Sequence, residues 1–226
     1  MPVDRKAQFN RITIVGAGAC TSEEIRQAAA VAPTMIGADG GAARILEEGL
    51  TPALAIGDFD SIPDRTRSAL ARSQLLKIEE QETTDFDKCV RSCEAGLVVG
   101  VGVLSPGIDH GLAALNVLFK YRWRKIVLLK APDVCLLCPP DIRLELPVGS
   151  RLSLFPLAPV CGSSVGLEWP IDDVELSPHG RVGTSNRVSA ERVRLRFAQP
   201  GALLILSHRF LHQAVAGLVK ASGWTQ

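Results

Sequence analysis

The sequence predicts an α/β protein in which an N-terminal domain with a mostly parallel sheet is followed by a small C-terminal β-sandwich. Strand-like and helix-like patterns alternate over the first two thirds of the chain, as they do in parallel sheets covered by helices on both faces. Near Leu146 the pattern changes to short alternating runs separated by proline and glycine. We therefore expect an α/β domain at residues 1–145 and a β domain with a helix-like tail at residues 146–226.

The elements of the first domain follow from apolar runs and from the residues that begin and end helices. Thr21 and Glu24 form a capping box, Gly49 ends a helix and Pro63 opens one. Strands are expected at residues 11–15, 34–38, 53–56, 75–78, 97–104 and 125–129. Helices are expected at residues 21–32, 42–48, 63–73, 85–96 and 109–122.

The second domain is expected to consist mainly of half-buried strands. In residues 192–197 three apolar side chains alternate with three arginines, which indicates one buried face and one solvated face. Strands are expected at residues 151–155, 166–169, 192–197 and 202–206. Residues 208–223 have helical spacing, and their apolar stripe predicts packing in the core or in a dimer interface.

Composition argues against several classes of function. A formal net charge of +1 supplies no broad positive field for a phosphate backbone, so no nucleic acid partner is expected. The polar start of the chain and the lack of a long apolar run predict neither a signal peptide nor a membrane span, and hence a cytoplasmic protein. Six cysteines are then reduced thiols, and Cys135 with Cys138, in an apolar run, are expected in the core.

Acidic residues follow three of the predicted strands. Asp39 comes after the second strand, Asp58 and Asp60 after the third, and Asp85 and Asp87 at the helix after the fourth. Because the carboxyl ends of parallel strands meet at one edge of a sheet, we expect these carboxylates to lie close together. Their mutual repulsion favours a divalent cation, and all-oxygen ligands suit Mg²⁺ bound together with substrate phosphates.

Two glycine motifs also follow strands. Gly40 and Gly41, between a strand and a helix, would let a phosphate approach free backbone amides, although Asp-Gly is also a common turn. Gly16-Ala-Gly18 would need a glycine at position 21 to complete a dinucleotide fingerprint, and Thr21 stands there. A phosphate cradle is therefore an open interpretation of the first motif, and hydride transfer is a poor interpretation of the second.

In their order and spacing these motifs resemble the thiamine pyrophosphokinase family. The family pattern D-G-G-A, G-x-x-P, G-D-F-D-S and Q-x-x-T-D-x-x-K is matched by residues 39–42, 49–52, 57–61 and 81–88. Later family segments are matched by Asp109-His110 with Asn116 and by residues 153–157, 166–170 and 185–186. The resemblance covers roughly residues 34–207.

The resemblance implies an enzyme that moves the diphosphate of ATP to the hydroxyl of thiamine, and a homodimer with thiamine at the subunit junction. From the positions that match the family motifs, the resemblance implies that Asp58, Asp60 and Asp85 bind Mg²⁺ and that Lys88 is a further catalytic residue. ATP contacts would come from Asp39, Gly40, Gly41, Thr84, Asp87, Asp109 and His110. Thiamine contacts would come from Gln81, Trp169, Ser185 and Asn186, although a core side chain is the favoured interpretation of Trp169.

Two departures from the family pattern keep alternatives open. Residues 105–108 read Ser-Pro-Gly-Ile where the family carries an arginine, and Arg187 stands where bacterial members commonly have glutamate. Arg187 either contacts phosphate in place of the missing arginine or points to solvent. The rival functions are a diphosphokinase for another hydroxymethyl heterocycle, such as a pterin, and a non-catalytic thiamine or nucleotide sensor. Retention of the acidic residues with Lys88 argues against the sensor.

Overall fold

The computed structural model describes residues 6–60, 62–104 and 107–226, and it divides into two compact units, Met1–Val117 and Leu118–Gln226. The first unit contains the strands β1 (Ala7–Val15), β2 (Thr34–Ala38), β3 (Leu54–Gly57), β4 (Leu75–Lys77) and β5 (Cys93–Val101). Their order is β4-β3-β2-β1-β5, and the neighbours pair in parallel. Residues 12–15 of β1 are all buried, as expected for a strand covered on both faces.

Helices follow the strands of this unit. They are α1 (Ser22–Val31), α2 (Gly41–Glu47), α3 (Asp64–Ala69), α4 (Asp85–Ser92) and α5 (Ile108–Lys120), within which the division between the units falls. The predicted capping box is confirmed, because the Thr21 hydroxyl accepts from the Glu24 N–H and the Glu24 carboxylate accepts from the Thr21 N–H. Repeated strand-helix units therefore place the strand ends, and the loops that follow them, at one edge of the sheet.

The second unit is built from antiparallel strands. They are β6 (Ile126–Lys130), β7 (Asp133–Leu137), β8 (Asp141–Glu145), β9 (Arg151–Pro156), β10 (Val160–Val165), β11 (Glu175–Leu176), β12 (Gly183–Arg187), β13 (Arg192–Phe197) and β14 (Ala202–Ser207). Two series of pairings run β12-β9-β14-β7-β6 and β11-β10-β13-β8. Val193, Leu195 and Phe197 of β13 are buried, as their alternation predicted. A last helix, α6 (Leu211–Lys220), contacts β8.

The predicted fold class is confirmed, and several elements differ from the sequence-based expectation. The helix expected at residues 85–96 ends at Ser92, because residues 93–95 pair with residues 7–9 at the start of β1. The helix expected at residues 63–73 ends at Ala69. The strand expected at residues 166–169 is a turn that begins at Gly166 with φ +83°, and only Leu167 forms a bridge, to Val188.

Within the described part of the chain, no helix combines the length and the apolar character needed to cross a membrane.

Candidate active site

The carboxyl ends of four parallel strands surround one cavity of about 580 Å³ in the first unit. Gly16 and Gly18 follow β1, Asp39 follows β2, Asp58 follows β3 and Gly102 follows β5, and all five line the cavity. The remaining wall comes from residues 81–86 and 88, in the loop before α4 and its first turn, and from α5. Asp39, Asp58 and Asp85 thus face the same space, as expected from the sheet topology.

Bare backbone forms one side of this cavity. The Gly16 N–H donates to the Val101 carbonyl at 2.8 Å, and the Gly18 N–H donates to the Gly102 carbonyl at 3.0 Å. A Cβ on Gly16 would lie 2.5 Å from the Gly102 oxygen, so these two loops can touch only because position 16 has no side chain. Sequence reasoning examined the Gly-x-Gly pattern only as a dinucleotide fingerprint, and it therefore missed this wall.

Asp39 is held in an uncommon backbone conformation at the end of β2. Its φ is +46°, its N–H donates to the Ile56 carbonyl at 2.8 Å, and the residue is 4% exposed. Gly41, two residues on, packs against β1, and a Cβ there would lie 1.8 Å from the Val15 oxygen. Packing alone therefore requires glycine at position 41. Gly40 and Gly41 do not line the cavity, and their phosphate contact stays a prediction.

The loop after β3 presents Asp58 through an anchored phenylalanine. Phe59 has φ +69°, and its ring, 8% exposed, packs with Ala42, Ala55, Ile62 and Leu70. A buried ring fixes the loop between the two acids, as the sequence indicated. Ser61, the last residue of this motif, lies outside the described residues.

Asp58 and Asp60 have different surroundings. Asp58 Oδ2 accepts from Gln81 Nε2 at 2.7 Å, and Asp58 Oδ1 accepts from the Asp60 N–H at 3.1 Å. The Gln81 hydrogen bond, and after it the Asp60 N–H, lowers the pKa of Asp58, so this carboxylate is ionised at neutral pH. Asp60 is exposed and does not line the cavity. Its role in the predicted metal set stays a prediction.

The first turn of α4 presents a carboxylate and an ammonium to the cavity. Thr84 caps the helix by accepting from the Asp87 N–H at 3.3 Å, and Lys88 Nζ donates to Asp85 Oδ1 at 3.0 Å. The Lys88 side chain is 2% exposed, whereas that of Asp85 is 36% exposed. The positive charge is therefore fixed beneath the more accessible carboxylate. Asp87 is buried and does not line the cavity.

His110 is the residue of the Asp-His pair that lines the cavity. Its Nδ1 lies 3.2 Å from Asp109 Oδ1, and this hydrogen bond is the main cause of the lowered pKa of Asp109. Asp109 is exposed and does not line the cavity. Ser105 and Pro106, on which the missing-arginine interpretation depends, lie outside the described residues.

The donor chemistry of the cavity fits Mg²⁺ that arrives with a phosphate ligand. Among the described residues, no three His, Cys, Asp or Glu side chains are arranged as a ready-made metal centre. Asp39, Asp58 and Asp85 nevertheless offer only oxygen donors to one space. Mg²⁺ in such sites is bound by one or two carboxylates together with substrate phosphates and water.

The residues predicted to contact thiamine lie partly in the other unit. Trp169 and Asn186 line a cavity of about 150 Å³ there, and Asn186 is buried and donates from Nδ2 to the Trp169 carbonyl at 2.7 Å. Trp169 is 51% exposed, so it is not a core side chain. Ser185 has φ +60° and its N–H donates to Ser153 Oγ at 3.0 Å. Gln81, the fourth predicted thiamine contact, lines the cavity of the first unit.

Arg187 contacts neighbours in its own unit. Its Nη1 lies 3.1 Å from Glu168 Oε2, and its guanidinium lies 5.7 Å from the centre of the Trp169 ring. The Arg187 side chain is 56% exposed and that of Glu168 is 41% exposed. The charge at position 187 is therefore paired with a carboxylate from the same turn that carries Trp169.

Comparison with known proteins finds matches to one family over most of the chain. A family model described as the catalytic domain of thiamin pyrophosphokinase matches residues 25–129, and one described as its vitamin B1 binding domain matches residues 141–200. Thiamine pyrophosphokinase 1 of Arabidopsis thaliana is 31% identical over 194 residues, which cover 69% of this chain and 71% of that relative.

Two further similar proteins match different shares of this chain. Thiamine pyrophosphokinase 1 of Oryza sativa is 31% identical over 163 residues, so the match spans 64% of this chain and 62% of that relative. The crystal structure of thiamin pyrophosphokinase from Geobacillus thermodenitrificans has the same fold, with a TM-score of 0.73 at 22% identity over 87% of this chain and 96% of that one. From the two family models and the sequence relatives together, the chain belongs to the thiamin pyrophosphokinase family.

Proposed function

We propose that this chain transfers the terminal diphosphate of ATP to the hydroxyl of thiamine, giving thiamine diphosphate and AMP. One observation carries the proposal: a single cavity joins a bare-backbone wall at Gly16 and Gly102 to the carboxylates of Asp58 and Asp85 and the ammonium of Lys88. Backbone without side chains admits a polyphosphate closely, and fixed charges of both signs suit phosphoryl chemistry, in which catalysis is mostly positioning and charge stabilisation.

ATP is assigned to the first unit. We assign its phosphate contacts to four residues that line the cavity: Asp39, Thr84, Lys88 and His110. Four neighbouring residues would support them: Gly40, Gly41, Asp87 and Asp109. Asp58, Asp60 and Asp85 would hold Mg²⁺. When bound, Mg²⁺ supplies charge stabilisation on the phosphate oxygens. As functional domains we propose residues 1–145 for ATP and residues 146–226 for thiamine; the catalytic-domain model lies within the first range, and the vitamin B1 binding model begins five residues before the second.

Thiamine is assigned to Gln81, Trp169, Ser185 and Asn186. A half-exposed tryptophan held through its backbone by buried Asn186 offers a flat apolar surface to a heterocycle. A homodimer, with thiamine at the subunit junction, and a cytoplasmic location complete the proposal; both rest on the sequence analysis.

The transfer is an in-line displacement. The hydroxyl oxygen of thiamine forms a bond to the β-phosphorus of ATP while the bond from that phosphorus to the α,β-bridging oxygen breaks, and AMP leaves with the electron pair. The hydroxyl proton passes to a carboxylate of the cavity. Asp58 has a lowered pKa and is therefore a weak base, better suited to holding a cation than to accepting a proton. Asp39 lines the cavity and lies outside the proposed metal set, so it is the carboxylate that we assign as proton acceptor.

One assay separates this function from its rivals. The chain is incubated with ATP, Mg²⁺ and thiamine, and the products are separated by chromatography; thiamine diphosphate and AMP are expected in equal amounts. A parallel reaction replaces thiamine with a hydroxymethyl pterin, which should give no diphosphate ester. Binding of thiamine or ATP without turnover would favour the sensor, and formation of ADP would contradict diphosphate transfer.

A further inference from the structure

Glu80 lies at the start of the loop that lines the cavity, and its carboxylate accepts hydrogen bonds from four donors. Oε2 accepts from the N–H groups of Glu82 and Thr83, at 2.7 and 3.0 Å. Oε1 accepts from the Thr83 hydroxyl and from Arg91 Nη2, each at 2.5 Å. The Glu80 side chain is 30% exposed and that of Arg91 is 37% exposed, so the group is partly shielded from water. A single carboxylate thus organises the backbone turn that follows it.

Arg91 connects this turn to the helix that carries the catalytic candidates. It lies on α4, one turn after Lys88 and two turns after Thr84, the N-cap of that helix. Gln81, directly after Glu80, donates to Asp58 in the loop that follows β3. The residues that Glu80 holds in place therefore contact Asp58 on one side and lead into α4 on the other.

We propose that Glu80 is a positioning residue, which through Thr83 and Arg91 holds residues 81–84 against α4 so that Gln81 reaches Asp58. This inference rests on the proposed function for its catalytic consequence, since the loop is expected to orient both substrates. An irregular loop has many accessible conformations, so holding it in one of them costs conformational entropy. Hydrogen bonds to an ionised carboxylate are stronger than those between neutral groups, and they can offset this cost.

The charge state of Glu80 agrees with this geometry. The pKa of Glu80 is lowered from 4.5 to about 2. The hydrogen bond from the Thr83 hydroxyl is the largest cause, followed by those from the two N–H groups and by the charge of Arg91. The carboxylate is therefore an acceptor on both oxygens throughout the neutral range.

The test uses the full chain and the variant Glu80→Gln, which keeps the size of the side chain. The variant replaces one accepting oxygen by an NH₂ group, so that a donor faces the existing N–H and O–H donors. Without substrates, hydrogen exchange of the Glu82 and Thr83 amides should accelerate, and the melting temperature should fall because the charged form of Glu80 also contributes to stability. With substrates, kcat/KM should fall on the order of 10- to 100-fold, the cost of a small misplacement in a reacting site. Arg91→Lys, which keeps the charge but loses the planar fork, should give a smaller change in both measurements.

The matched control is Glu79→Gln, because Glu79 pairs with Lys77 on the exposed side of the same segment. It should leave exchange and kcat/KM at wild-type values. Wild-type exchange at residues 82 and 83 in Glu80→Gln, or faster exchange with unchanged kcat/KM, would overturn the positioning role. If the unaltered chain makes no thiamine diphosphate, the proposed function fails, and the exchange measurement alone decides whether Glu80 holds the loop.

Discussion

Uncommon backbone conformations are concentrated at the residues of the two candidate sites. Of the four described non-glycine residues with positive φ, three lie in the family motifs: Asp39, Phe59 and Ser185. Such conformations cost free energy, and they persist where the surroundings determine them. At Phe59 the determinant is the buried ring, and at Asp39 it is the hydrogen bond to Ile56. The direction in which Asp58 points is therefore set by the side chain of its neighbour.

Asp58 is expected to be the acid on which activity depends most directly. Asp58→Asn removes a negative charge from the cavity while keeping the size of the side chain, so we expect turnover to fall on the order of 100-fold or more with little change in stability. Asp60→Asn should also remove most activity if Asp60 joins the metal set. Steady-state rates at saturating Mg²⁺ and thermal melting measure both effects.

The control for these variants is Asp64→Asn, an exposed acid in the first turn of α3 that does not line the cavity. Its rate should equal that of the unaltered chain. An Asp58→Asn protein with wild-type turnover would show that Asp58 is not a metal ligand.

At the scale of elements, the contact of α2 with β1 depends on the absence of a side chain. The Cβ of Gly41→Ala would lie 1.8 Å from the Val15 oxygen, a backbone atom that cannot move without shifting the strand. We expect the free energy of unfolding to fall by several kcal/mol, about 2 to 5, as for other severe core substitutions. Urea denaturation gives the value.

Gly49→Ala is the comparison, because Gly49 has φ +71° and no atom lies within 4 Å of its added Cβ. Only the backbone penalty remains there, about 1 kcal/mol. Equal losses in the two variants would show that steric contact with β1 is not the reason for glycine at position 41.

The sequence predicted those elements whose signals are local. The capping box at Thr21, the alternation in residues 192–197 and the acids at three strand ends all follow from neighbouring residues, and the structure contains them. The helix end at Ser92 could not be predicted, because it depends on pairing with residues 7–9 at the other end of the domain. The Glu80–Arg91 ion pair and the Gly16–Gly102 contact were missed for the same reason: each needs two segments brought together by the fold.

At the scale of the whole molecule, several carboxylates with lowered pKa values predict how stability depends on pH. Glu80 is stabilised in its charged form by Thr83, Asp58 by Gln81 and Asp141 by Arg194. Because the pKa values of these carboxylates are lower in the folded than in the unfolded chain, each contributes stability that is lost as the pH falls, and for Glu80 the loss runs from about pH 4.5 to about pH 2. The urea concentration at the unfolding midpoint should therefore decrease as the pH is lowered from 5 to 3, and this decrease should be smaller in Glu80→Gln.

The proposed homodimer predicts a solution mass of twice the 24.2 kDa of one chain. The second unit exposes large apolar side chains, including Val165 at 61% and Trp169 at 51%. Light scattering coupled to size-exclusion chromatography, over a range of concentrations, measures the mass. A mass of one chain at micromolar concentration would contradict the dimer.

The distribution of the cysteines offers a route to following this protein by fluorescence. All six cysteines fall within the described residues, and five are buried, whereas Cys161 on β10 is exposed. Burial raises the pKa of Cys135 to about 12 and also raises the pKa values of Cys89 and Cys138, which makes these thiols unreactive. A maleimide dye applied to the native chain would therefore attach at one defined position. Ligand titrations could then be read from a single probe without removing any native cysteine.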